Sequence, residues 1–161
     1  MYDEAKKEDW YSAYEEYIKK FPKGLFLYEA TERLEWLKSH KAIAGADYPS
    51  DVFGIESPYS NLSSPFFPWK TTFYEKGGSI GYKVKGTGWV YDRNGDRWGP
   101  GGYQITREEI TVKPGQKSMT DYWCADYLKC GYAYFIWEGE DAGGHPVRIV
   151  EHVNLKYSDC K

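Results

Sequence analysis

Ile80-Gly81-Tyr82-Lys83-Val84-Lys85-Gly86-Thr87-Gly88-Trp89-Val90-Tyr91-Asp92-Arg93-Asn94-Gly95-Asp96 is the stretch that decides the class of this chain. Ile80, Tyr82 and Val84 alternate with other residues at the period of a strand with one face buried. Gly86-Thr87-Gly88 interrupts the alternation, and Trp89 and Tyr91 resume it on the other parity, as a β-bulge produces. Asp92 to Asp96 then reads as a turn, because Asn-Gly tolerates the positive φ angles of a tight hairpin.

The same grammar extends outward. Lys70 to Tyr74 leads into Glu75-Lys76-Gly77-Gly78, and Ile105, Ile110 and Val112 precede a turn at Pro114-Gly115. Tyr132 to Trp137 runs into Glu138-Gly139-Glu140-Asp141-Ala142-Gly143-Gly144, and Val147 to Leu155 closes the chain's last strand. Six or seven short strands with frequent turn signals predict an antiparallel β-sandwich over residues 69–161. Glu151 shares parity with Val147, Ile149, Val153 and Leu155, so it either points inward or marks a shift of register.

Before residue 45 the period is different. Trp10, Ala13, Tyr14, Tyr17, Ile18 and Phe21 make one continuous helical stripe, with Lys6, Lys7, Glu8, Glu15, Glu16, Lys19 and Lys20 on the opposite face. Pro22 and Gly24 stop that helix. Leu27, Ala30, Leu34 and Leu37, with Phe26 and Trp36 beside them, form a second stripe, and Ala30 is the small residue where two helices can approach. Residues 1–44 are therefore expected to be an α-hairpin. Residues 45–68 follow neither period, yet Val52, Phe53, Ile55, Leu62, Phe66 and Phe67 are too apolar for a free linker, so this stretch is expected to be docked. The expected class is α+β: an N-terminal α-hairpin followed by an antiparallel immunoglobulin-like β-sandwich.

Two resemblances support that division. Ala13-Tyr14, Tyr17-Ile18, Phe21-Pro22, Ala30 and Leu34 resemble one tetratricopeptide-type repeat unit of bacterial envelope proteins. That resemblance implies holding a protein or peptide, although a stable array needs about three such units. Glu138-Gly139-Glu140-Asp141 with Gly143-Gly144-His145-Pro146-Val147 resembles the last turn of bacterial immunoglobulin-like domains. Thr111-Val112-Lys113-Pro114-Gly115 resembles their mid-domain bend. The antibody-type Cys…Trp…Cys framework is missing, so the match is to the broad sandwich class, which implies no particular function.

Composition narrows the functions. The net charge is −3, from 21 basic and 24 acidic residues whose signs are mixed along the chain, which leaves no concentrated basic footprint for nucleic acid. No apolar run is long enough to cross a bilayer, and Met-Tyr-Asp-Glu-Ala-Lys-Lys-Glu is too charged for a signal peptide, which leaves a cytosolic origin and an export signal removed ahead of Met1 both open. Of the three cysteines, Cys124 and Cys130 enclose a short loop that a disulfide can staple. Such a bond leans towards a periplasmic or secreted protein.

Several constellations can be weighed for chemistry. Asp92, Asn94 and Asp96 have the oxygen spacing that opens a calcium loop, but the glycine and the final acid of that loop are out of place, and a hairpin turn explains them without metal. Glu138, Glu140 and Asp141 can supply the carboxylates of a glycoside hydrolase or form a solvated turn. Cys124 with His145 or His152 is a formal Cys-His pair without a local signature. The remaining candidate surface is aromatic: Trp89, Tyr91, Trp98, Tyr103, Tyr122, Trp123 and Tyr127 gather around turns and the cysteine loop, where exposed rings bind sugars or proteins. The reading is a non-enzymatic binding or interaction module for a protein or carbohydrate ligand, without cofactor, within a bacterial envelope or secreted protein. The alternative is a carbohydrate-binding module, or a small glycoside hydrolase using the turn carboxylates.

Overall fold

The computed structural model describes residues 1–56, 67–98, 104–120 and 130–157, with residues 123–125 described by backbone alone. Among these, helices α1 (Tyr2–Glu8), α2 (Tyr11–Lys20) and α3 (Leu27–Ser39) precede strands β1 (Ala44–Asp47), β2 (Asp51–Phe53), β3 (Phe67–Trp69) and β4 (Thr72–Glu75). They are followed by β5 (Tyr82–Asp92), β6 (Ile105–Val112), β7 (Lys117–Met119), β8 (Trp123–Ala125), β9 (Gly131–Asp141) and β10 (Pro146–Lys156). The class is α+β, with the helices first.

The first helix is not continuous. Asp9 adopts the left-handed conformation at φ 47, closing α1 with its backbone N–H on Ala5 O, and Trp10 is extended. Three helices therefore replace the expected two. Asp tolerates the left-handed region better than most residues, and its carboxylate accepts hydrogen bonds from Tyr14 Oη at 3.0 Å and Arg33 Nε at 2.9 Å. The periodicity of Trp10, Tyr14 and Tyr17 survives the break because all three still face inward. Phe21, the expected end of the stripe, is exposed.

The strands form a five-stranded sheet in the order β2-β10-β9-β5-β6, a three-stranded sheet β1-β4-β7 and the pair β3-β8. Pairing is antiparallel except between β2 and β10, which run parallel. Phe73 of β4 meets Trp137 of β9 edge-on at 4.7 Å, in a core completed by Phe67, Trp69, Tyr82, Val84, Phe135, Val153 and Leu155. The stretch expected to lack regular structure contributes β1 and β2 to the two larger sheets, and Val52 and Phe67 are buried in that core. Phe53 and Ile55 are exposed, while Leu62 and Phe66 lie outside the described residues.

Strand β5 also departs from expectation. Tyr82, Val84, Gly86, Gly88 and Val90 all face inward, so the parity never switches and Trp89 and Tyr91 face outward. The extra residue lies on β6 instead, where the register slips between the Lys85↔Glu109 and Thr87↔Thr106 pairs. Gly86 is needed for packing, since a Cβ there would meet the Trp137 ring at 2.9 Å.

A second core, built from Ala5, Trp10, Tyr14, Tyr17, Ala30 and Leu37 with Ile80 and Ala142, joins the helices to the strands. Asp141 and His145 fasten this joint. Asp141 Oδ1 accepts the N–H groups of Gly143 and His145, each at 2.9 Å, closing the β9–β10 turn. Its Oδ2 accepts the Ala42 N–H at 2.9 Å, just after the helices end. His145 contacts Asp141 Oδ1 through Nδ1 at 2.9 Å and Lys38 O through Nε2 at 2.8 Å, so its ring spans the gap from the turn to α3.

Candidate functional site

Continuous parity along β5 and β9 sorts the outward face of the five-stranded sheet into rows. Lys83 pairs with Glu140, Lys85 with Glu138, Thr87 with Ile136, Trp89 with Tyr134 and Tyr91 with Tyr132. Across the next strand boundary, Glu138 lies beside Arg148, Ile136 beside Val150 and Tyr134 beside His152. One end of the face is thus a ladder of opposite charges and the other is aromatic.

The helices occupy the charged end. Lys83 Nζ lies 4.5 Å from the centre of the Trp10 ring, and Trp10 Nε1 is 3.5 Å from Glu140 Oε1. The Glu140 charge holds the neighbouring Tyr11 phenol above its ordinary value. A cleft of about 330 Å³ is lined there by Glu8, Trp10, Lys85, Glu109, Glu138 and Glu140, among others. A smaller one of about 90 Å³ lies between Trp10, Leu37, Ile80 and Pro114. Along the charged rows carboxylates alternate with cations, and Arg148 Nε is 3.4 Å from Glu138 Oε1. Asp141, expected among the candidate turn carboxylates, is buried and bound to the joint. The hydrolase alternative therefore loses one of its three carboxylates to structure.

The aromatic end carries Trp89 and Tyr91 from the expected set. Tyr91 and Tyr132 stack with centroids 4.8 Å apart and planes 14° from parallel. His152 stands edge-on to Tyr132 at 5.0 Å and to Tyr134 at 6.2 Å. The Asn94-Gly95 turn returns the chain alongside β5, pairing Arg97 with Tyr91 and placing the Arg97 guanidinium 4.5 Å from the Trp89 ring. Trp98 follows at the rim, 37% exposed, with its N–H donated to Val90 O. Each ring face covered by another ring or a guanidinium is unavailable for stacking on a sugar, whereas ring edges and phenol tips remain presented outward.

Other candidates are placed less favourably. Asp92 Oδ1 accepts the N–H groups of Asn94 and Asp96 at 2.8 and 3.0 Å, so that oxygen closes the turn. Among the described residues no cluster of His, Cys, Asp or Glu is arranged to hold a metal. Tyr103, Tyr122 and Tyr127 lie outside the described residues, as do the side chains of Trp123 and Cys124. The expected Cys124–Cys130 disulfide therefore falls outside the described side chains. His145 is committed to the joint and His152 to the aromatic face.

Sequence reasoning flagged Glu151 but missed what surrounds it. Glu151 Oε1 accepts Trp69 Nε1 at 2.7 Å and Thr71 Oγ1 at 2.6 Å, and Oε2 accepts Trp137 Nε1 at 2.8 Å. Arg107 Nη1 lies 3.9 Å from Oε2, and its guanidinium packs 4.9 Å from the Phe135 ring centre and 5.1 Å from that of Trp137. Burial pulls Arg107 below the ordinary arginine range, with the Glu151 and Glu108 charges opposing it. The signal lay in β6: Ile105 and Arg107 share one parity, Ile110 and Val112 the other, and the bulge between them turns Arg107 inward. Neither of these two clefts is lined by this network, which ties Trp69 and Thr71 to Glu151 of β10 and Trp137 of β9.

No protein-family model matches the chain, and no curated protein matches it in sequence. Among solved structures, a Bordetella pertussis protein assigned as ApaA shares the fold at TM-score 0.58 and 8% identity, over 74% of this chain and 97% of its own. The structural-genomics target SoR45 matches at TM-score 0.50 and 15% identity, over 75% of this chain and 89% of its own. The periplasmic chaperone SfaE aligns at TM-score 0.41 and 9% identity, over 71% of this chain and 57% of its own, which is too distant to carry an argument. The likeness shows a β-rich, immunoglobulin-like fold and nothing about ligand or reaction.

Proposed function

We propose that this chain is a non-enzymatic interaction module that docks a protein partner on the aromatic end of its five-stranded sheet. The observation that carries the reading is the stacked Tyr91–Tyr132 pair, flanked by Trp89, Tyr134 and His152 on an outward face. The outward face of a sheet with one solvated side is ordinarily polar. Tyr and Trp instead supply large, rigid contact area with polar tips, as interface anchors do. Ring faces already covered by Arg97 and by each other weigh against a carbohydrate platform. A Cys124–Cys130 disulfide is part of this proposal, and with it an oxidising compartment, periplasmic or extracellular.

Selection of a random peptide library on the immobilised protein tests the reading. Recovered peptides are expected to bind the Tyr91→Ser/Tyr132→Ser variant at least about tenfold more weakly, a loss of about 1.4 kcal/mol. Peptides that bind both proteins equally, or oligosaccharides that quench the tryptophan fluorescence where peptides do not, would overturn it.

A further inference from the structure

The turn between α2 and α3 carries an apolar surface remote from the aromatic face. Leu25 is 86% exposed, Tyr28 70%, Phe26 40% and Phe21 37%. These residues are consecutive or nearly so, and each belongs to the tip of the helical pair rather than to its inward stripe. Phe26 is braced from behind by Tyr2, stacked at 4.6 Å and 8°, and Phe21 by Tyr17 at 5.3 Å. The rings are thus held in place while their outer surfaces face water. Side chains of this size at these exposures present on the order of 500 Å², a patch larger than isolated surface apolars make.

The charges nearest the patch are sorted by sign, with Glu15 and Glu16 farther back on α2 and Arg33 turned to Asp9. Lys19 and Lys20 at the end of α2 and Lys23 in the turn lead into it, and all are exposed. Glu29, Glu32 and Glu35 lead away from it along α3, and these are also exposed. Tyr28 donates its hydroxyl to Glu32 Oε1, and that bond, with the Glu32, Glu29 and Glu35 charges, holds the phenol above its ordinary value. The acidic rim is therefore close to the patch and not a distant solvated face.

The geometry points to a second copy of this chain as the occupant, docked tip to tip about a two-fold axis. A partner of one net sign would find only half of the rim complementary. A two-fold whose axis runs between the basic and the acidic side, by contrast, brings each copy's lysines against the other's glutamates, the self-complementarity that an isologous interface requires. Two patches face to face bury about 1,000 Å² in total, the lower bound for a specific complex, so the dimer is weak, with a Kd of about 10–100 μM. Ion pairs at the rim make it weaker still as salt rises.

Sedimentation velocity on the full chain from about 5 to 500 μM tests this, because that range brackets the stated affinity. The wild type is expected to shift from monomer to dimer, and Leu25→Glu/Tyr28→Glu to stay monomeric with unchanged circular dichroism. Lys20→Glu/Lys23→Glu and Glu32→Lys/Glu35→Lys are each expected to associate poorly alone. Mixed in equal amounts, they should recover a dimer, because the swapped rims again oppose unlike charges. A wild type that stays monomeric throughout would overturn the proposal. So would a dimer indifferent to Leu25→Glu/Tyr28→Glu, or swapped variants that fail to associate when mixed.

Discussion

Arg107 of β6 and Glu151 of β10 meet inside the sandwich, Nη1 to Oε2 at 3.9 Å, with the indole N–H groups of Trp69 and Trp137 donated to the same carboxylate. Two opposite charges, both nearly inaccessible, hold strands that are not neighbours in the sheet. Hydrogen bonds from three neutral donors and ring contacts on the guanidinium offset part of the desolvation.

Breaking this pair from one side leaves the other charge buried. Glu151→Leu is expected to lower stability by about 3–5 kcal/mol in urea unfolding. Arg107→Met/Glu151→Leu should recover much of that loss, because an apolar pair of similar volume removes both desolvation terms. A double variant no more stable than Glu151→Leu would show that the indole bonds, and not the charge pair, set the cost.

Gly86→Ala tests the packing of Trp137 directly. The added methyl would meet the indole at 2.9 Å, forcing the ring or the strand to shift. A loss of about 1–3 kcal/mol is expected, with a change in tryptophan emission. Unchanged emission with unchanged stability would place the indole elsewhere.

Asp141→Ala removes acceptors from Ala42, Gly143 and His145 together. Buried N–H groups left without partners cost about 1–3 kcal/mol each at most, and the effect should fall on the joint. Hydrogen exchange is expected to speed up in α2 and α3 more than in β9 and β10. Uniform acceleration across the chain would contradict a role specific to the joint.

Acid weakens the outer edge of the five-stranded sheet. Hydrogen bonds from Lys156 and Asn154 hold the Asp51 carboxyl below its ordinary 3.8. A depressed folded value stabilises the β2–β10 pairing above the unfolded value, and that contribution is lost as pH falls through the folded one. In an NMR titration Asp51 should protonate below 3.8, and Lys156→Met should move the midpoint upward. A midpoint indifferent to Lys156→Met would remove the cause.

The α+β division and the Asn94-Gly95 turn are legible in residue spacing, while for Glu151 the spacing leaves an inward side chain and a shift of register both open. Three features are not legible there. Asp9 breaks a helix without disturbing the stripe of Trp10, Tyr14 and Tyr17, because its carboxylate finds partners in Tyr14 and Arg33 that no local pattern reveals. Gly86 and Gly88 read as an interruption of β5, whereas the strand continues and the missing side chains make room for Trp137 and Phe135. Once that parity is misread, half of the aromatic face is lost, since Tyr132, Tyr134 and His152 become outward neighbours of Trp89 and Tyr91 only in the true register. Trp89, Tyr91 and Trp98 could be picked from the sequence as rings near a turn. Their grouping is a property of three strands aligned.

The central claim is that the aromatic end of the sheet is where a protein partner docks. Hydroxyl-radical footprinting of the protein, alone and saturated with a peptide selected on it, tests this most directly. Protection concentrated at Trp89, Tyr91, Tyr132, Tyr134 and His152, with Tyr11 and Tyr28 unchanged, is the expected result. Protection at the charged end around Trp10 and Tyr11, with the stacked tyrosines as reactive as in the free protein, would contradict it.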